Sequence, residues 1–139
     1  MLKRKIKVIL DTNWYISATI SKKSRRSFYK LLVDKRLEII YADELLAEYQ
    51  LVMNRKKFLK LILPAQVQRF IYLILPKLLR VVIKTSVQVS RDAKDDYLLA
   101  LSIDSNAKYL VTGDNDLLVL GKIANTKIIT MSEFLEILD

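Results

Sequence analysis

With neither histidine nor cysteine in its 139 residues, this chain must do any acid–base or metal chemistry through carboxylates. No imidazole can act as general base, complete a Ser-His triad or ligate a metal. Thiolate zinc sites and disulfides are likewise excluded. The informative acids are those placed where an apolar run starts or stops. Asp11, with Thr12 and Asn13, follows Ile6-Lys7-Val8-Ile9-Leu10. Glu48 lies within an amphipathic segment, four residues after Glu44. Asp92, Asp95 and Asp96 precede Tyr97-Leu98-Leu99-Ala100-Leu101, and Asp114 and Asp116 come after Tyr109-Leu110-Val111-Thr112-Gly113. Several carboxylates meeting at element ends form an oxygen-only donor set, which suits Mg2+ or Mn2+. Such an ion can generate a nucleophile from water without any histidine.

Each acid also has an ordinary explanation. Asp11, Thr12 and Asn13 are all preferred helix caps. Glu48 is a common surface helix residue, although its spacing from Leu45 and Val52 sets it at the edge of the buried stripe. Acids in a first helical turn complement the helix dipole by about 0.3–1 kcal/mol each, and Asp92 is best explained in that way. Thr112-Gly113-Asp114-Asn115-Asp116 reads as a turn, with Asp116 capping the Leu117–Leu120 helical turn. The case for chemistry rests on the joint arrangement. Asp96 heads a very apolar helix, and carboxylates clustered there repel one another unless a cation holds them.

The elements that must position these acids alternate. Strands are expected at Ile6–Leu10, Leu37–Tyr41, Tyr109–Thr112 and Lys127–Thr130, with Val81–Ile83 a further strand that Val87–Val89 extends. Helices are expected from Ser24 or Ser27 to about Lys35, from Asp43 to about Arg55, and from Pro64 until Pro76 ends or kinks it. Others are expected from Asp92 to Ser105, as a short turn over Leu117–Leu120, and from Ser132 to Leu138, with Asp43 and Ser132 as caps. This alternation implies an α/β fold, a three-layer α/β/α sandwich with a mostly parallel central sheet. Ligands of such sheets bind beyond the carboxyl ends of the strands, where Asp11 and Asp114 both fall. The length fits one domain over residues 1–139, and 52% hydrophobic residues suffice for a real core. There is no apolar run long enough to span a membrane and no signal-peptide pattern, so a cytoplasmic protein is expected.

The chain is basic and its charge is uneven. Residues 1–91 carry 20 Lys/Arg against 6 Asp/Glu, whereas residues 92–139 carry 4 against 9. A basic face beside an acidic pocket suits a polyanion held by one and cut at the other, although lysine-rich faces also simply keep proteins soluble. Lys22, Lys23, Arg25, Arg26, Arg55, Lys56 and Lys57 are the candidates for phosphate contacts.

In order and spacing these segments resemble the PIN-domain family over nearly all of Lys5 to Leu138. Val8-Ile9-Leu10-Asp11-Thr12-Asn13 resembles its opening strand and first acid. Glu44-Leu45-Leu46-Ala47-Glu48-Tyr49 is similar to its second-helix pattern, Asp95-Asp96-Tyr97-Leu98-Leu99-Ala100-Leu101 to its third motif, and Tyr109 to Leu118 to its fourth. The sub-pattern is most similar to toxin components of toxin–antitoxin systems, relatives of the VapC toxins. That resemblance implies a Mg2+- or Mn2+-dependent endoribonuclease acting on single-stranded RNA, usually dimeric and neutralised by a small antitoxin. It also implies Asp11, Glu48, Asp96 and Asp114 as metal-holding catalytic residues, Asp95 and Asp116 as auxiliaries, and Thr112 and Asn13 as supporting polar groups. The alternatives are a non-catalytic PIN-like RNA-binding domain, a nuclease of RNA processing, and a flap-type DNA nuclease. A Rossmann-like nucleotide binder is disfavoured by the lack of any Gly-x-Gly-x-x-Gly or P-loop sequence.

Overall fold

The computed structural model describes residues 4–88 and 95–139. Strand β1 (Ile6–Leu10) is central, with Val8, Ile9 and Leu10 fully buried between both faces of the sheet. It is followed by α1 (Thr12–Ile20), α2 (Lys22–Leu32), β2 (Leu37–Tyr41), α3 (Asp43–Met53), α4 (Lys56–Leu59), α5 (Pro64–Ile74), a 3-10 turn (Leu75–Lys77) and β3 (Leu79–Arg80). The second half holds α6 (Asp96–Ser105), β4 (Tyr109–Val111), α7 (Asn115–Leu118), β5 (Lys122–Ile123), β6 (Thr126–Ile129) and α8 (Met131–Leu138).

The sheet order is β3-β2-β1-β4-β6-β5. All neighbours are parallel except β5, which pairs antiparallel with β6. The chain therefore winds outward from β1 to one side through β2 and β3, then to the other through β4 and β6. That reversal puts the switch point at the carboxyl ends of β1 and β4, the crevice where doubly wound sheets bind ligands. The sheet is flanked by helices, as the alternating sequence pattern requires.

On one side, a ring cluster welds four helices together. Tyr15 of α1 lies 4.9 Å from Phe28 of α2 and 6.5 Å from Tyr49 of α3, and Phe70 of α5 completes the group at 6.0–6.1 Å from Phe28 and Tyr49. On the other side α6 packs on β4, with Leu98, Leu99 and Leu101 buried. Phe134 of α8 is fully buried against Tyr109.

Several local expectations shift. A nine-residue helix, α1, follows Asp11, although no bounds were expected for it. Helix α2 begins earlier than Ser24, because Ser21 caps it by accepting the Ser24 amide at 3.3 Å. Asp43 lies inside α3, and its carboxylate pairs with Arg80 at 2.6 Å. Helix α4 was not expected, its four residues being too few to show a period. The outer strand is Leu79–Arg80 in place of Val81–Ile83. The chain beyond it is tied down by Asp104 of α6, which accepts the Lys84 and Thr85 amides at 2.6 and 2.9 Å. Helix α7 is capped by Asp114, which accepts the Asp116 amide, so Asp116 is not the cap. Helix α8 is capped by Thr130 with Glu133 in a reciprocal capping box, so Ser132 is not the cap. The two-residue strand β5 had no sequence signal; Gly121 at φ +69° admits the turn into it. The expected cap Asp92 and strand residue Val89 lie outside the described residues.

Candidate active site

The crevice is built from the ends of the two central strands. Val111, the last residue of β4, offers its carbonyl to the Asp11 amide at 3.0 Å and to the Trp14 indole at 3.3 Å. Those two bonds fix the start of α1 against β4. Asp11 occupies the N-cap position of α1, yet its side chain makes no capping hydrogen bond. Its Oδ2 instead accepts the Thr112 hydroxyl at 2.6 Å. Thr112 is fully buried and Asp11 is 8% exposed. Asp11 thus stands at the helix start, where the Thr12 and Asn13 amides favour its charge, and its carboxylate also reaches across the sheet to the residue following β4.

The second carboxylate comes from α3. Glu48 is half-buried, and its Oε1 accepts the Thr12 hydroxyl at 2.7 Å and the Tyr97 hydroxyl in a short contact. Helix α3 is held to α1 at the next residue as well, through a 2.6 Å contact between the Tyr49 and Thr19 hydroxyls. Because Tyr97 is the second residue of α6, its reach to Thr12 and Glu48 places the first turn of α6 at the same crevice. Asp96, which opens α6, and Asp95, at its cap position, belong to that turn.

Electrostatics sets Asp11 and Glu48 against each other. Burial raises the Asp11 carboxyl above the ordinary aspartate range; Glu48's negative charge adds to the rise, and the Thr112 hydroxyl opposes it. Burial also raises the Tyr97 phenol far above the usual tyrosine value, with its bond to Glu48 contributing, so it remains a neutral donor. Among the described residues the ion pairs are Arg36–Asp34 and Arg80–Asp43, and neither reaches the crevice. Two mutually repelling carboxylates thus stand together, with hydroxyls and, for Asp11, the Thr12 and Asn13 amides as their donors.

Of the acids singled out in the sequence, Asp11 and Glu48 are brought into electrostatic contact. Asp114 follows β4 on the same side and caps α7, with Asp116 in that helix's first turn. Thr112 donates to Asp11 and also accepts the Asp114 amide at 3.0 Å; Asn13 is exposed. Among the described residues, no three acidic side chains stand close enough together to enclose one ion. The Asp11–Glu48 pair by itself fits a hard cation in donor chemistry: oxygen ligands only, and a buried negative charge that a cation would relieve. Tyr97 was missed. The available signal was a phenol directly after two acids at the head of an apolar helix, where a partly buried hydroxyl needs a polar partner.

The basic candidates divide. Lys22, Lys23 and Arg26 are exposed on α2. Arg25 is exposed too, but its guanidinium is engaged by the Ala18 and Thr19 carbonyls at 2.9 and 2.8 Å, which closes the end of α1. Arg55, Lys56 and Lys57 are exposed at the start of α4, with Lys57 over the Phe58 ring. No helix among the described residues is long and apolar enough to cross a membrane.

An open parallel sheet with acids at its central switch point defines the class, and comparison with known proteins gives the family. A sequence model described as PIN domain matches residues 7–116, and the chain belongs to that family. Among solved structures it is similar to a chain of the VapBC2 structure from Rickettsia felis, bound to a DNA fragment from their promoter. The two share 19% identity at a TM-score of 0.59, over 88% of this chain and 97% of that one. It is also similar to PAE2754 from Pyrobaculum aerophilum, at 17% identity and a TM-score of 0.64, over 96% and 90% of the two chains. These two likenesses are of fold. No curated protein matches by sequence.

Proposed function

We propose that this chain is an endoribonuclease that cuts single-stranded RNA with the help of Mg2+ or Mn2+, and that it is the toxin of a toxin–antitoxin pair. The observation that carries the reading is the Asp11–Glu48 pair at the switch point, which faces no lysine or arginine among the described residues. Membership of the PIN-domain family supports it, and the fold likeness to a chain of VapBC2 supports the antitoxin partner. A homodimer and a cytoplasmic setting complete the proposal.

Asp11 and Glu48 would hold the ion, with Asp96 and Asp114 as further ligands and Asp95 and Asp116 as auxiliaries. When bound, the ion would lower the pKa of a water so that it can attack a phosphate in line. Thr112 keeps Asp11 aimed into the crevice, and Thr12 with Tyr97 does the same for Glu48. Water as nucleophile leaves 5′-phosphate and 3′-hydroxyl ends. Lys22, Lys23, Arg26, Arg55, Lys56 and Lys57 would contact the phosphate backbone, which positions RNA without reading its sequence.

The second reading, a non-catalytic RNA-binding PIN domain, is favoured by one observation: no three acids among the described residues enclose an ion. The two separate when purified protein and Asp11→Asn are each given single-stranded RNA with Mn2+ or with EDTA. Manganese-dependent cleavage that Asp11→Asn abolishes is expected. Metal-independent RNA binding with no cleavage, and no Mn2+ binding by titration, would overturn the nuclease.

A further inference from the structure

Glu48 is held in a particular way. Both hydroxyl contacts, from Thr12 and from Tyr97, fall on Oε1, and no protein group among the described residues donates to Oε2. Each hydroxyl has one hydrogen to donate. Tyr97 donates to Oε1, and the single Thr12 hydrogen goes either to Oε1 at 2.7 Å or to the Tyr97 oxygen at 3.0 Å; in both arrangements Oε1 is the oxygen that is held. The three residues come from α1, α3 and α6, and thus from both halves of the doubly wound sheet. Glu48 is therefore held at one carboxylate oxygen by hydroxyls from two other helices.

Clamping one oxygen constrains how the carboxylate can meet a cation. Ca2+ takes about 6–8 oxygens and readily accepts a bidentate carboxylate, whereas Mg2+ requires a tight octahedron at about 2.0–2.1 Å. A carboxylate held at Oε1 by this hydroxyl pair presents its other oxygen to a cation. We propose that Tyr97, with Thr12, holds Glu48 to one-oxygen coordination and so sets the site's preference for a small octahedral cation over calcium. Tyr97 is a positioning residue, since it acts through Glu48, and the inference rests on the metal-site reading above.

The test is calorimetric titration of the metal-free full chain with Mn2+ and separately with Ca2+, with circular dichroism to confirm folding. Removing a hydrogen-bond partner of a metal ligand typically weakens metal binding about 10–100-fold. Tyr97→Phe should lose Mn2+ affinity on that scale while Ca2+ affinity holds or rises, which collapses the Mn2+/Ca2+ ratio. In a Glu48→Gln background the same substitution should change neither affinity. Thr12→Ser, which keeps a hydroxyl, should retain the wild-type ratio, and Thr12→Val should lose it. An unchanged ratio in folded Tyr97→Phe overturns the inference and leaves the metal site standing. If Tyr97→Phe does not fold, an unchanged ratio in Thr12→Val overturns it instead. A wild type that binds neither cation removes the metal-site reading itself.

Discussion

Replacing Thr112 by valine removes one oxygen from the crevice and keeps the branched shape of the side chain. The lost hydroxyl donates at 2.6 Å to the carboxylate of Asp11 and accepts the Asp114 amide at 3.0 Å. Asp114 is half-exposed, so water can replace the second bond. The first has no such substitute, because Thr112 is fully buried. A hydrogen bond to a charged group is worth about 1.5–3 kcal/mol, and at roughly 4 °C per kcal/mol for a domain of this size that lowers Tm by roughly 6–12 °C. The loss must depend on pH. Without its donor, Asp11 ionises in the fold at a still higher pH than in the wild type. The penalty is therefore full above the variant's Asp11 pKa and shrinks as pH falls through the interval between the two folded values. Urea denaturation of both proteins at a series of pH values measures it, with Thr112→Ser as the control that retains the bond. A loss below about 0.5 kcal/mol, within the range of ordinary surface substitutions, or one equal at every pH, would refute the reasoning.

The same geometry sets further outcomes. Burial and Glu48 raise the Asp11 pKa in the fold, so its ionisation costs stability as pH rises through that value. Asp11→Asn should therefore melt higher than the wild type at neutral pH while losing RNA cleavage, and equal or lower melting by calorimetry would contradict the burial argument. Asp104→Asn should loosen the tie between α6 and residues 84–85, seen as faster limited proteolysis there. Its carboxyl is held below the usual range by the Thr85 hydroxyl and amide, so wild-type protection should fade as pH drops through that lowered value. RNA binding in EDTA should weaken with salt, and neutralising Lys22, Lys23 or Arg26 singly should reduce the log–log slope by about one each. Unchanged slopes would detach α2 from the RNA.

The sheet and its central acids were legible because buried parallel strands read as short apolar runs, and Ile6–Leu10 and Tyr109–Thr112 are such runs with an acid at or just past their ends. Glu48 was legible by its distance from Leu45 and Val52. Less legible was anything decided by contact. Asp11 looks like a cap in sequence, and only the fold brings Thr112 to it from across the sheet. Tyr97 carried no periodic signal, since its role depends on Thr12 and Glu48 from two other helices. Arg25 resembled its basic neighbours on α2 but is engaged by two carbonyls. The outer strand slipped from Val81–Ile83 to Leu79–Arg80 because an edge of two residues has too little burial to enforce a pattern.

The bond between Thr112 and Asp11 joins residues 101 positions apart. Strand β1 is made before both of its neighbours, and of these β4 follows some hundred residues after it. During synthesis from the N-terminus, Asp11 spends that interval without the partner that aims it. Tyr97 likewise follows Glu48 by 49 residues. An emerging chain thus holds Asp11 and Glu48 without the groups that aim them until α6 and β4 have followed, and the order in which residues leave the ribosome keeps the crevice unassembled until then.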